Sequence, residues 1–159
     1  MTEDLVTVGT VAAAVAAGLV TGILLAFSTS VMPALARRPD AEAPRVMQAM
    51  NATIQNPLFG LLFGGAMLLS AALAVTAPFT TDETHAGLRG VGAALYVVGV
   101  FGQTMAVNVP MNLALDRVDP ATEAGAAFWG QYLRRWTAWN HVRSLAGAAA
   151  TTLLVVSLV

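Results

Sequence analysis

The sequence predicts an all-α integral membrane protein: a four-helix up-down bundle with a short interfacial helix in each loop on the cytoplasmic side. Three observations carry this. Of the 159 residues, 57% are hydrophobic and 11% charged, whereas soluble domains hold about 45–50% apolar and about 25% charged residues. Long stretches carry no charge at all: Leu5 to Ala36, Val46 to Thr81, Gly90 to Leu115 and Ser144 to Val159. These stretches are apolar nearly all round, not along one stripe, which is the pattern of a helix surrounded by lipid or core. The whole chain, 1–159, reads as one transmembrane domain.

A spanning helix needs roughly 20 apolar residues. The first is expected near Leu5–Val31. Its flank is acidic (Glu3, Asp4) and its apolar run far exceeds a signal peptide's core of about 7–15 residues, so it reads as a mature helix. The second is expected near Pro57–Ala77, the third near Val91–Val109, and the fourth near Trp136–Leu158. The connection through Thr80, Thr81, Asp82, Glu83, Thr84 and His85 reads as a solvated turn. Residues 37–50 suit a short interfacial helix. In the second long loop, Pro120-Ala-Thr-Glu123 reads as a helix start with Asp119 as its N-cap.

Charge sets the expected orientation. With four spans, both termini and the 78–90 loop share one side, which carries only Arg89 among basic residues. The other side carries Arg37, Arg38, Arg45, Arg117, Arg134 and Arg135, with Arg143 just inside the fourth helix. The positive-inside rule assigns that side to the cytoplasm and both termini to the outside of a plasma membrane. Ala14, Gly18, Gly22, Ala26 and Ser30 form a small-residue stripe on the first helix. It suits packing within the bundle, with a homo-oligomer seam as the alternative.

Composition also excludes chemistries. There is no cysteine, so disulfides, Cys-ligated zinc, iron–sulfur clusters and a Cys nucleophile are out. All eight basic residues are arginine, which excludes a Schiff-base or P-loop lysine. The two histidines, His85 and His141, are too few for a three-His metal centre. No ligand spacing supports a metal, and neither metal nor organic cofactor is expected. A net charge of −1 without a basic run argues against nucleic acid. A coupling carboxylate inside a span, which a transporter would need, is missing from all four segments.

The amide and indole side chains collect at one end. All five asparagines (Asn51, Asn56, Asn108, Asn112, Asn140), all four glutamines (Gln48, Gln55, Gln103, Gln131) and all three tryptophans (Trp129, Trp136, Trp139) fall at the expected cytoplasmic end. An unpaired amide in hydrocarbon costs several kcal/mol, of order 2–7, so these groups must pair with each other, with water or with a ligand. Thr104, Asn108 and Asn112 recur every four residues on one face of the third helix. Pro110 behind them leaves the Ala106 carbonyl without its usual partner and loosens the helix. On the fourth helix Trp129, Tyr132, Trp136, Asn140, Arg143 and Gly147 fall in one stripe, with Trp139 at its margin. Arg143 is the only charge within a span, the expected mark of a functional site or a buried pair, and Asn108 and Asn112 are its expected partners. His141 points away from that stripe. Asn56 and Gln103 complete the polar set. The convergence suits a flat, amphipathic aromatic ligand entering from the bilayer. Interfacial belts, snorkelling and interhelical glue are the structural alternatives.

Several segments resemble a known family. Trp136-Thr-Ala-Trp-Asn-His-Val-Arg143 with the following Ser-Leu-Ala is similar to a W-x-x-W/x-N-x-x-R pattern opening the last helix of a family of small four-helix membrane proteins. Gly22-Ile-Leu-Leu-Ala-Phe27-Ser28, Val31-Met-Pro33, Met50-Asn-x-x-Ile54-Gln-Asn-Pro57 and Asn108-Val-Pro-Met-Asn112 fit as well. The family contains the anthrone oxygenases of polyketide pathways. The resemblance implies oxidation of an anthrone to an anthraquinone by molecular oxygen without an organic cofactor. In that chemistry Arg143 would hold the substrate anion. Asn108 and Asn140 would donate hydrogen bonds, and His141 is the only imidazole available as a base. Trp136 and Trp139 would stack on the rings, with Asn112, Asn56 and Gln103 lining the pocket. The alternative function is a non-catalytic membrane protein that binds a lipid, a quinone-like molecule or a partner protein.

Overall fold

The computed structural model describes residues 3–39, 41–79 and 83–159. Among the described residues there are five helices and no strand. They are α1 (Glu3–Leu35), α2 (Glu42–Thr53), α3 (Pro57–Thr76, continued by a 3₁₀ turn at Ala77–Phe79), α4 (His85–Asp116) and α5 (Glu123–Val156). The expected turn at Thr80, Thr81 and Asp82, with the side chains of Glu83 and Thr84, lies outside the described residues. α1 packs on α3 and α5, and α4 closes the ring against the same two. α2 lies against the last turns of α4.

Three helices are long and apolar enough to cross a membrane: Glu3–Leu35, Pro57–Phe79 and His85–Asp116. The sequence reading had four spans. α5 carries Arg134, Arg135 and Arg143 among its 34 residues, and these lower its apolarity. Its first turns also correct the second expected loop helix, because Glu123 opens α5 itself and no separate helix precedes it. The cap differs too. Thr122 takes the N-cap role, its Oγ1 accepting from the Gly125 N–H at 3.0 Å. Asp119 instead accepts from the Ala121 N–H at 2.9 Å and shapes the turn before it.

Helix lengths were underestimated around two prolines. α1 continues past Pro33 and α4 past Pro110. A proline lacks the N–H for the helical ladder and crowds the carbonyl four residues back. Each helix absorbs this with a wider π turn that ends two residues before the proline: Phe27–Val31 before Pro33, and Thr104–Asn108 before Pro110. In these turns Met32 N–H bonds Phe27 O, and Val109 N–H bonds Thr104 O. A further π segment runs over Tyr96–Gly102. Such turns recur at functional sites because they re-aim side chains without ending the helix.

Close approach organises the half of the bundle away from the arginines. A Cβ at Gly92 would lie 2.8 Å from Leu153 Cβ, one at Gly99 2.8 Å from Ala146 Cβ, and one at Gly147 would overlap the Thr21 hydroxyl. Glycine is therefore required there for α5 to sit against α4 and α1. The expected α1 stripe is corrected in part. Ala14 is buried, but Gly22, Ala26 and Ser30 are exposed. A four-residue repeat turns about 40° per step on a helix of 3.6 residues per turn, so it drifts off the contact face. The seam is Thr10, Ala13, Ala14, Ala17, Val20, Thr21, Leu24 and Ser28.

Candidate functional site

At the other end lie Arg37, Arg38, Arg45, Arg117, Arg134 and Arg135, all exposed, while Arg143 is buried. The buried side chains of α5 there are Trp129, Tyr132, Trp136, Asn140 and Arg143. Steps of three and four residues put them on one face. The rings form a ladder: Trp129 stacks on Tyr132 at 5.6 Å between centroids, and Tyr132 on Trp136 at 6.3 Å. Phe27 of α1 tilts against Trp136 at 5.8 Å. The Arg143 guanidinium lies 5.1 Å from the Trp136 ring centre, within cation–π range.

α4 supplies the polar wall. Asn112 Oδ1 accepts from both the Tyr132 hydroxyl (2.8 Å) and the Trp136 indole N–H (2.9 Å). One amide oxygen thus fixes two rings of the ladder. One turn earlier, Gln103 Nε2 donates to Asn108 Oδ1 at 2.8 Å. Thr104 donates to Val100 O at 2.6 Å and accepts from Arg143 Nη1 at 3.1 Å. The expected partners of Arg143, Asn108 and Asn112, are not the ones it bonds. Its Nε donates to Asn140 Oδ1 at 2.8 Å.

Asn140 is fully used. Its Oδ1 takes the Arg143 Nε–H, and its Nδ2 donates to Leu24 O at 2.7 Å and to Ser28 Oγ at 2.5 Å. Leu24 and Ser28 flank the start of the π turn on α1. The orientation of Arg143 is therefore tied through Asn140 to α1, and through Thr104 to α4. α2 covers this end. Gln48 Nε2 donates to Leu115 O (2.9 Å) and Val118 O (3.2 Å), holding α2 on the carbonyls at the end of α4. Met47 joins the aromatic core, and Asn51 lies beside the Tyr132 hydroxyl.

The groups left over define what the cluster can do. Asn51 Nδ2, Asn108 Nδ2 and Gln103 Oε1 are buried with no hydrogen-bond partner. Arg143 uses Nε and Nη1 but makes no hydrogen bond through Nη2, and no carboxylate pairs with it among the described residues. Native proteins pair nearly all buried polar atoms, and a buried cation without a counter-ion is costly. The surplus is mostly donors, which suits a ligand that carries an oxyanion or carbonyl beside a flat ring.

The remaining candidates fall elsewhere. Asn56 is exposed and caps α3, its Oδ1 accepting from the Phe59 N–H at 3.0 Å. Trp139 is 40% exposed on the outside of α5. His141 is exposed and lines a surface groove with Met32 and Pro33. Asn108, Asn112, Gln103, Trp136, Asn140 and Arg143 come together. The sequence reading passed over Ser28, Thr104, Tyr132 and Gln48 as site residues. Tyr132 and Thr104 were legible from helical phase, and Ser28 from the Phe27-Ser28 segment of the resemblance. Gln48 carried no signal, because its partners lie 67 and 70 residues away. Among the described residues no group of three or more His, Asp or Glu side chains gathers as metal ligands.

Comparison with known proteins rests on one match. No curated protein and no solved structure matches the chain. The family model described as anthrone oxygenase matches residues 56–153, more than half of the chain, and it takes in α3, α4 and the α5 stripe from Trp129 to Arg143. The chain belongs to the anthrone oxygenase family.

Proposed function

We propose that this protein is a membrane oxygenase that converts an anthrone-like, lipophilic aromatic ketone to the corresponding quinone with molecular oxygen. In this reading α5 crosses the bilayer as the fourth span beside α1 and α4. The arginine-rich end faces the cytoplasm, and both termini lie outside the plasma membrane. The exposed arginines support that orientation. The observation that carries the reading is Arg143: a buried guanidinium with an open Nη2, lying over Trp136.

The chemistry follows from those groups. The bound ketone, as its enol tautomer, loses the phenolic proton to water, and Arg143 holds the oxyanion with Asn108 Nδ2 as a further donor. Preorganised donors in a water-poor site stabilise such charge far better than bulk water does. The electron-rich ring carbon adds oxygen and becomes a hydroperoxide once the proton returns. Loss of water from that carbon leaves the second carbonyl. One oxygen atom enters the product, the other leaves as water, and the two hydrogens lost from carbon leave with it. Trp136 offers a ring face for stacking. Asn140 positions Arg143 and does not reach the substrate, because its polar atoms are all bonded.

A second reading is favoured by one observation. His141 and Asp116, the bases nearest in sequence, are both exposed and make no hydrogen bond to the cluster. A site without its own base suits a non-catalytic binder of a quinone-like anion. The test is oxygen uptake and quinone absorbance with a simple anthrone, using purified protein in nanodiscs, wild type beside folded Arg143→Gln and Asn108→Ala. Turnover lost in both variants supports the oxygenase. Saturable binding of anthrone with uptake no faster than autoxidation overturns it in favour of the binder.

A further inference from the structure

The face of α5 opposite Arg143 carries a second feature. Arg134, Thr137 and His141 follow one another at helical spacing, and Arg143 lies about 180° from Arg134 at 100° per residue. Together with Met32 and Pro33 of α1 and Ala36 just past its end they line a groove of about 410 Å³ on the outside of the bundle. The α1 wall is apolar. The α5 wall adds Leu133 and Ala138, so the groove surface is almost wholly apolar, and Arg134 and His141 are its exposed polar side chains. Arg134 is exposed and forms no ion pair among the described residues, and no carboxylate lines the groove.

We infer that this groove holds one anionic glycerophospholipid, with its phosphate at Arg134, its glycerol-ester region at His141, and an acyl chain along the apolar wall of Met32 and Pro33. The inference rests on the membrane reading above but not on the oxygenase reading. Charge decides between lipid classes. Either class can set its phosphate on Arg134, but the cation of a choline or ethanolamine headgroup would then lie beside a guanidinium with no carboxylate to pair with, so a headgroup of net negative charge is favoured. The depth fits as well. Arg134 lies among the exposed arginines of one end, and His141 lies about two turns further along α5. A headgroup and glycerol backbone span a similar distance. Met32 floors the groove and also belongs to the aromatic core with Tyr132 and Trp136, so an occupied groove would brace the ring ladder from behind.

The test is native mass spectrometry of the full chain, delipidated in detergent and titrated with phosphatidylglycerol or phosphatidylcholine. Wild type is expected to retain phosphatidylglycerol about fivefold more strongly, the size of one basic side chain facing an anionic headgroup. Arg134→Gln should lose that preference. Arg135→Gln, which removes an exposed arginine outside the groove, should keep the preference. Equal retention of both lipids by wild type, or equal losses in Arg134→Gln and Arg135→Gln, would overturn the site. Displacement of bound phosphatidylglycerol by a flat aromatic ketone would also overturn it and assign the groove to that ligand. Protein recovered in aqueous buffer without detergent would instead sink the membrane reading itself.

Discussion

One face of α5 carries two chemistries. From Gly147 to Leu154 it is small and apolar, and α1 and α4 come so close that Gly147, and Gly92 and Gly99 opposite, have no room for a Cβ. From Trp129 to Arg143 the same face bears three large rings, an amide and a cation, and both neighbouring helices loosen into π turns before a proline. The small residues lock the helices together. The large polar ones face neighbours whose ladders have already been widened. A site that must admit a ligand belongs in the second half, and a scaffold that must hold it belongs in the first.

The largest effect expected from breaking this contrast is in the locked half. Gly147→Leu drives a side chain into Thr21. Overpacking typically costs about 1–3 kcal/mol, and helix backbones cannot yield as a side-chain tip can. The variant should lose its monodisperse peak on size exclusion in detergent, and Gly99→Leu should do the same. Gly64→Leu is the control, because nothing lies within 4 Å of a Cβ there, and it should unfold with wild-type temperature dependence. A folded Gly147→Leu protein would mean that the close approach is dispensable.

In the polar half the next largest effect is functional. Arg143→Gln should stay folded, since it removes a buried charge that has no counter-ion and keeps an amide donor beside Asn140 and Thr104, yet lose about 10²–10³-fold in turnover, the range for deleting an anion-stabilising donor. Arg143→Lys should not rescue it. A lysine cannot serve Asn140, Thr104 and a ligand at once from a planar fork. Full activity in Arg143→Lys would reduce Arg143 to a point charge and undercut the proposed oxyanion geometry.

Asn112→Ala sharpens the contrast differently. It strips the acceptor from both the Tyr132 hydroxyl and the Trp136 indole. Leaving a buried donor unsatisfied costs about 1–3 kcal/mol. The temperature of unfolding in detergent should therefore fall, and tryptophan fluorescence should shift. An unchanged transition would mean that the ring ladder stands on stacking alone.

These two halves were unequally legible in the sequence. The helices were readable because charge-free runs of such length have few other solutions, and the α5 stripe because steps of three and four residues fix its phase. Arg143, Trp136, Asn108 and Asn112 followed from that phase. Trp139 and His141 did not belong with them. Helical phase already turns His141 away from the stripe and leaves Trp139 at its margin; both enter through the recognisable segment, His141 as the only imidazole at that end. The hydrogen bonds of Arg143 were misassigned for a related reason. Depth along a helix could be estimated, but the π turns rotate α4 locally, so that Thr104 rather than Asn108 meets the guanidinium. The hold of Gln48 on the end of α4 depends on how the loop folds back, which no local pattern encodes.

The smallest expected effect tests the residue that chemistry and position disagree on most. Asn56 has the amide expected of a pocket residue, but it is exposed and its Oδ1 caps α3. An N-cap replaced by alanine costs about 0.5–2 kcal/mol, whereas serine fills the same role. Asn56→Ala should therefore lower the unfolding temperature modestly with turnover per folded molecule unchanged, and Asn56→Ser should restore stability. A substrate contact would behave the other way, because serine cannot present the amide's donor and acceptor together. If Asn56→Ser is as stable as wild type but raises KM tenfold, the polar site extends to the start of α3, and the boundary drawn here between scaffold and site is in the wrong place.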